Sequence, residues 1–331
     1  MNIAVKNIAE PERTRLSPWV ARLMLLIAAA TWGGGYTFSK IALDAIQVQW
    51  MMAIRLTLGS LILVAVLWHR IRRTTISHML IAGVLLGLSY WAAFIFQMEG
   101  LRTIEPGRNA FLTATYCVLV PFLVWLIAHR TPTIRNLVAA VVCLIGIGCI
   151  SLPSSGFGLD FGMGDALTMV SALLFALNLV LEGLFAKKFD ALILTVYEFI
   201  VAGMLFLVGA AIFEPFPKAA SFTPAVSWSM VYLIVGSTLI AQTFQNAAFS
   251  KIPSTQGSII LCTESLFGVL GAIVLVHEHV NMQTALGFVL IFCAILLSEL
   301  RTQPHNIPKA ASISIDDGVV RHDGEVSHRQ E

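Results

Sequence analysis

Long apolar runs separated by short polar breaks set the pattern of this chain. A helix that crosses a bilayer needs about 20 mostly apolar residues. Ten stretches meet that, near 22–41, 50–68, 78–99, 107–128, 134–151, 164–186, 190–212, 228–249, 254–276 and 281–300. The breaks are made of Gly, Pro and charged residues, as helix ends require. The pattern predicts an all-α integral membrane protein of ten transmembrane helices. A polar segment, 1–21, precedes the first run, and a tail of low hydrophobicity and mixed charge, 301–331, follows the last and is expected to be disordered. No apolar stretch ahead of residue 22 has the form of a cleavable signal, so the first run is expected to stay in the membrane.

Composition agrees: 57% of residues are hydrophobic and 12% charged, against about 25% charged in soluble domains. The formal net charge of +2 provides no field for nucleic acid. Placement of the basic residues gives the orientation, because Lys and Arg flanking spans stay on the cytoplasmic side. Lys6, Arg13, Arg15 and Arg22 fall on one side with Arg70, Arg72, Arg73, Arg130, Arg135, Lys187, Lys188, Lys251 and Arg301; only Lys40, Arg102, Arg108 and Lys218 fall on the other. Both termini are therefore expected in the cytoplasm of a cell with the protein in its inner or plasma membrane.

Five spans before residue 151 and five after 164 invite comparison. An offset of 148 aligns Phe96-Gln97 with Phe244-Gln245, Thr115 with Thr263 and His129 with His277. Because five is odd, two such halves enter the membrane in opposite senses, and retained charges should change sides. They do: Arg130 aligns with Glu278, and the loop of Arg70, Arg72 and Arg73 with the acidic loop at Glu214. Inverted repeats of this kind belong to secondary transporters, with the site near the midplane between the halves. The expected divisions are 22–151 for one repeat and 164–300 for the other.

The strings GRNAFLTATYCVLVPFLVWLIAHR (107–130), WGGGYTFSK (32–40) and LCTESLFGVLGAIVLVHEH (261–279), with Arg55 early in the second span, resemble the EamA branch of the drug/metabolite transporter superfamily. The resemblance covers about residues 20–300. It implies two EamA repeats of five helices and export of amino acids or other small metabolites. The chain differs in having Glu264-Ser265 where the family usually has Glu-Pro, and His129-Arg130 where its first repeat often ends in Gly-Glu.

An ionisable group at mid-membrane depth costs at least a few kcal/mol and so faces a partner or a wet cavity. Glu264 falls halfway along the ninth span, on a face with Gly257, Gly268 and Gly271. It reads either as a site carboxylate or as a carboxyl that locks helices together. In the third span Gly83, Gly87, Tyr90, Phe94 and Gln97 share a face; in the eighth, Thr238, Gln242, Gln245 and Phe249 do. The fourth span adds Asn109, Thr113 and Tyr116, and the sixth adds Asn178. These groups suit a polar solute, and equally suit interhelical hydrogen bonds. Glu182, near Lys187 and Lys188, reads as an interfacial ion pair. Arg55 and Glu198 are expected at opposite interfaces, snorkelling there or forming parts of a gate. Trp32, Gly33, Gly34 and Gly35 mark a weak point in the first span, a hinge or a close helix contact. His277, Glu278 and His279 read as a loop cap.

Cys117, Cys143, Cys149, Cys262 and Cys293 lie in apolar runs with no CxxC pair, so they read as core residues rather than metal ligands. No phosphate-binding GxxxxGK[ST] and no hydrolase constellation occurs. Neither an enzyme nor a cofactor is expected. The expectation is a secondary transporter moving a small polar metabolite or amino acid outward by alternating access. A membrane sensor without transport activity, or a drug/cation efflux protein, stands beside it. Expected partners are the small-molecule substrate and the lipid bilayer, with a homodimer left open.

Overall fold

Helix starts in this chain are fixed by short polar groups placed just ahead of apolar runs. In the computed structural model, which describes residues 16–74, 76–129, 131–151, 162–268 and 282–299, Ser17 caps α1 (Pro18–Leu43), accepting from Val20 N at 3.3 Å, with Pro18 in the first turn. α2 (Val48–Ile71) has no side chain of its own for this. Glu214 serves instead, its two oxygens accepting from Gln49 N and Trp50 N at 3.0 Å each. Asp190 caps α8 (Ala191–Phe213) from Oδ1 and pairs with Arg70 Nη2 at 2.5 Å. At the other polarity, Lys40 donates to the last carbonyls of α3 (Ile76–Thr103), Leu101 O and Arg102 O, at 2.7 and 3.0 Å.

The remaining elements are α4 (Pro106–Ala114), α5 (Tyr116–Ala128), α6 (Ile134–Ser151), α7 (Met163–Phe185), α9 (Pro224–Tyr232), α10 (Ala241–Phe249), α11 (Ser254–Leu261) and α12 (Met282–Glu299). Among the described residues there is no strand, so the all-helical expectation holds. Six stretches of the described residues are long and apolar enough to cross a membrane: Val48–Ile71, Met79–Thr103, Pro106–Ala128, Met163–Phe185, Ala191–Phe213 and Pro224–Phe249. Ile134–Cys149 and Ala285–Leu297 are shorter apolar helices. Large apolar side chains such as Val66, Ile81, Leu126 and Phe213 stand exposed on these helices, the surface a lipid environment covers.

Among the described residues, three spans depart from a plain helix. The fourth breaks at Thr115, between α4 and α5; the ninth breaks at Cys262 and Thr263, after which 264–268 is helical again. Both breaks carry a threonine whose hydroxyl donates three residues back, Thr115 to Leu112 O at 2.6 Å and Thr263 to Ile260 O at 2.7 Å. Such back-bonding bends helices, and Pro121 in α5 removes a further backbone donor. The two breaks touch, Cys262 Sγ donating to Ala114 O at 3.4 Å. In the eighth span a π-helical segment, Leu233–Ile240, separates α9 from α10 and turns Ser237 and Thr238 inward.

The main helix pairs are α3 with α7, α6 with α12, α2 with α8, α3 with α8 and α1 with α10. Each pair takes one helix from before residue 152 and one from after residue 162. The halves interlock, and the described residues form a single unit. Gly83 and Gly87 of α3 lie against Tyr197 and Val201 of α8, the close approach that small residues permit. The second half of the ninth span with Gly271, the His277–Glu278–His279 cluster, Arg130, the first fifteen residues and the tail lie outside the described residues.

Candidate functional site

Breaking the fourth and ninth spans at matching places puts Tyr116 and Glu264 at the first positions after each break, facing the centre. There they meet α1, α3, α7 and the π-helical segment around a cavity of about 610 Å3, counted to its open mouth. Trp32, Gly35, Tyr36, Gln97, Thr113 and Tyr116 form one part of its wall with Glu264. Arg55, Tyr90, Phe94, Asn178, Gln242 and Gln245 form another.

Two hydrogen-bond networks hold the polar groups. In the first, Tyr36 Oη donates to Glu264 Oε1 at 3.3 Å, and Gln97 Nε2 donates to Tyr36 Oη at 3.3 Å and Thr113 Oγ1 at 3.2 Å. Asn109 stands behind this wall, donating to Thr168 Oγ1 at 2.8 Å and to Gln97 O at 3.3 Å. It is 0% exposed and braces the glutamine. Glu264 is 4% exposed. Among the described residues no cation lies within ion-pair distance of it.

The second network surrounds two carboxyls. Glu182 accepts from Gln242 Nε2 and Gln245 Nε2, at 2.6 Å each, and Glu198 accepts from Asn178 Nδ2 at 3.1 Å and Asn246 Nδ2 at 3.0 Å. Both are fully buried. This replaces the expected interfacial pairing of Glu182 with Lys187 and Lys188: the carboxyl points into the bundle, where amides from α10 satisfy it. Glu198 likewise lies inside rather than at an interface, behind the wall formed by Gln242.

Arg55 also lies inside. It is 2% exposed, its Nε donates to Thr238 Oγ1 in the π-helical segment, and its guanidinium sits over the Phe94 ring at 5.3 Å. Arg55 holds Thr238, and Gln242 Nε2, one helical turn on, lies 3.5 Å from Glu198 Oε2, yet Arg55 and Glu198 form no ion pair with each other.

α1 runs unbroken through its glycines in this structure. A Cβ on Gly33 would stand 2.5 Å from Glu264 O, and one on Gly34 would stand 2.6 Å from Tyr232 Oη. Trp32 Nε1 donates to Ser237 O at 2.8 Å, which fixes α1 to the π-helical segment. Cys117, Cys143 and Cys262 are buried, Cys149 is half-buried and Cys293 exposed. No cluster that could hold a metal occurs among the described residues.

Of the residues singled out from the sequence, Glu264, Gln97, Gln245, Tyr116, Thr113, Asn178, Tyr90 and Gln242 converge on the cavity with Trp32, Gly35 and Arg55; Asn109, Gly34 and Glu198 stand behind its wall. Tyr36 and Asn246 were missed. Tyr36 had a signal, one turn beyond Trp32 on the same face of the first span. The polar groups on the eighth-span face signalled Asn246 only weakly.

Comparison with known proteins bears on the family and the fold. Two uncharacterized transporters of Archaeoglobus fulgidus are 22% and 24% identical to the chain, over 85% and 83% of it and 86% and 96% of their own lengths. The uncharacterized transporter YoaV of Bacillus subtilis is 21% identical over 84% of the chain and 97% of its own length. A solved crystal structure superposes with a TM-score of 0.70 at 14% identity, covering 87% of this chain and 99% of the other, which shows a shared fold. The EamA-like transporter family matches twice, at residues 19–152 and 162–300, on either side of the segment that divides the interlocking helix sets. With that family model matching over both halves, this multi-pass membrane protein belongs to the EamA-like transporter family.

Proposed function

We propose that the protein is a secondary transporter that carries a small polar metabolite or amino acid outward across the cell's inner or plasma membrane by alternating access. Ten spans in two inverted five-helix repeats, with both termini cytoplasmic, form its frame. The observation that carries this reading is the cavity lined from both halves, with Glu264 on its wall and no cation within ion-pair distance among the described residues. An internal carboxyl of that kind recognises a donor group on a solute or exchanges a proton. The matched breaks beside Tyr116 and Glu264 support motion of one half against the other around the cavity, and the glycines of α1 supply the place where that helix bends.

The test is transport by Glu264→Gln. The variant keeps the shape and the acceptor for Tyr36, so it is expected to insert and purify normally while flux falls at least about tenfold. The substrate for the assay comes from comparing the extracellular metabolites of cells with and without the protein. Flux equal to wild type across pH would remove Glu264 from the site. Deleting residues 303–331 is expected to leave flux unchanged. A loss of cellular response with no flux in either form would favour a sensor.

A further inference from the structure

Arg55 is a buried cation whose charge the fold leaves unpaired. It is 2% exposed. Burial of a charge is costly unless it is paired and hydrogen-bonded. Yet among the described residues no carboxylate lies within ion-pair distance, and only Nε has a hydrogen-bond partner, Thr238 Oγ1. A guanidinium has five N–H donors in a rigid fork. The terminal nitrogens, with four of the five, have no protein acceptor among those residues, and the side chain lines the cavity.

The nearby carboxyls are otherwise occupied. Glu182 and Glu198 accept from the amides of Gln242, Gln245, Asn178 and Asn246, and Glu264 accepts from Tyr36. A second donor stands beside the guanidinium. The Tyr90 hydroxyl is buried without a hydrogen-bond partner, and its ring is 4.5 Å from that of Phe94, over which Arg55 lies. Next to both, the wall is apolar: Phe94 packs edge-on against Phe175 at 5.0 Å, with Met98 and Leu233 adjoining.

We infer that Arg55 and Tyr90 form an anion subsite in the cavity, and that the solute carried is a carboxylate with an apolar body. The carboxylate would accept from the Arg55 fork and the Tyr90 hydroxyl, and its body would lie on Phe94 and Phe175. Thr238 holds the fork through Nε and leaves the Nη edge free for a bidentate contact. This rests on the transport reading above and specifies the solute for the same cavity.

The experiment compares matched acid and amide probes on the purified full chain: hydrocinnamate against hydrocinnamamide, and isocaproate against isocaproamide. Each amide keeps the shape and removes the charge. Thermal unfolding at a series of millimolar concentrations gives apparent affinities, since a ligand of the folded state raises the midpoint by mass action. In the wild type at least one acid is expected to bind at least about tenfold more tightly than its amide. In Arg55→Gln that preference is expected to vanish, and in Arg55→Lys to shrink. Equal binding of acid and amide, or binding of neither, in the wild type overturns the subsite without any variant having to fold. So does a folded Arg55→Gln that keeps the preference. A protein that transports its solute and loses flux in Glu264→Gln, but shows no acid preference, sinks the anion subsite alone. A protein that binds the acids yet moves no solute sinks the transport reading instead.

Discussion

Gly33→Ala is expected to unfold or misassemble the protein, with the largest effect among single substitutions in α1. The new Cβ would lie 2.5 Å from Glu264 O, 2.7 Å from Gly268 N and 2.9 Å from Phe267 Cβ. Two of these are backbone atoms, so no side-chain rotation relieves the contact; either α1 or the segment after the ninth-span break must move. Overpacking a core costs about 1–3 kcal/mol, occasionally more, and this site sits at the upper end because the displaced backbone carries Glu264. Thermal unfolding in detergent and the monodisperse yield on size exclusion measure the effect. Gly34→Ala and Gly35→Ala meet Tyr232 Oη at 2.6 Å and Ser237 Oγ at 2.8 Å, the ends of side chains that can turn aside. Their losses should be clearly smaller. A Gly33→Ala protein of wild-type stability but reduced flux would show that the glycines serve bending rather than close packing.

Glu182→Ala is expected to lower stability nearly as much, though the residue does not line the cavity. Its two oxygens take the amide hydrogens of Gln242 and Gln245 at 2.6 Å each. Removing them leaves both amides buried, with Glu198 Oε2 at 3.5 Å from Gln242 as the remaining nearby acceptor. Each donor left without a partner costs about 1–3 kcal/mol. The methyl group also opens a cavity where a glutamate stood. Glu182→Gln should be milder, since its carbonyl still satisfies one amide while its NH2 opposes the other. The ranking wild type, Glu182→Gln, Glu182→Ala in unfolding temperature is the expected result. An Ala variant as stable as wild type would mean that water replaces the carboxyl, and the network would then be a wet extension of the cavity.

Local patterns reached far into this site. The 3.6-residue period placed Tyr90, Phe94 and Gln97 on one face of the third span, and all three line the cavity. It also placed Thr238, Gln242 and Gln245 together, and all three bind charged partners inside the bundle. A side chain's face follows from helix geometry alone, so these residues were legible. Glu264 was legible for another reason: no neighbouring stretch explains a carboxyl at mid-depth.

Arg55, Glu182 and Glu198 went the other way. Read one helix at a time, each charge belongs to the nearest interface, because a lone helix in lipid has nowhere else to send it. Packing α2 on the π-helical segment, and α10 on α7 and α8, supplies partners that no single span contains: Thr238 for Arg55, and the amides of α10 for both glutamates. The breaks were hidden too. Thr115 and Thr263 aligned in the sequence, yet an intrahelical hydroxyl bond becomes a break only where a neighbouring helix fills the bend, as Cys262 does against Ala114.

By itself, the sequence determined that this chain is helical and membrane-sized, because apolar length and charge placement act on each span separately. It also determined the twofold repetition, because matched segments carry matched polar positions. Only the tertiary structure decided which buried charges are satisfied and which is left open to the cavity. That depends on contacts between spans more than a hundred residues apart, such as Arg55 with Thr238, and burial makes each such contact worth enough to override the local preference.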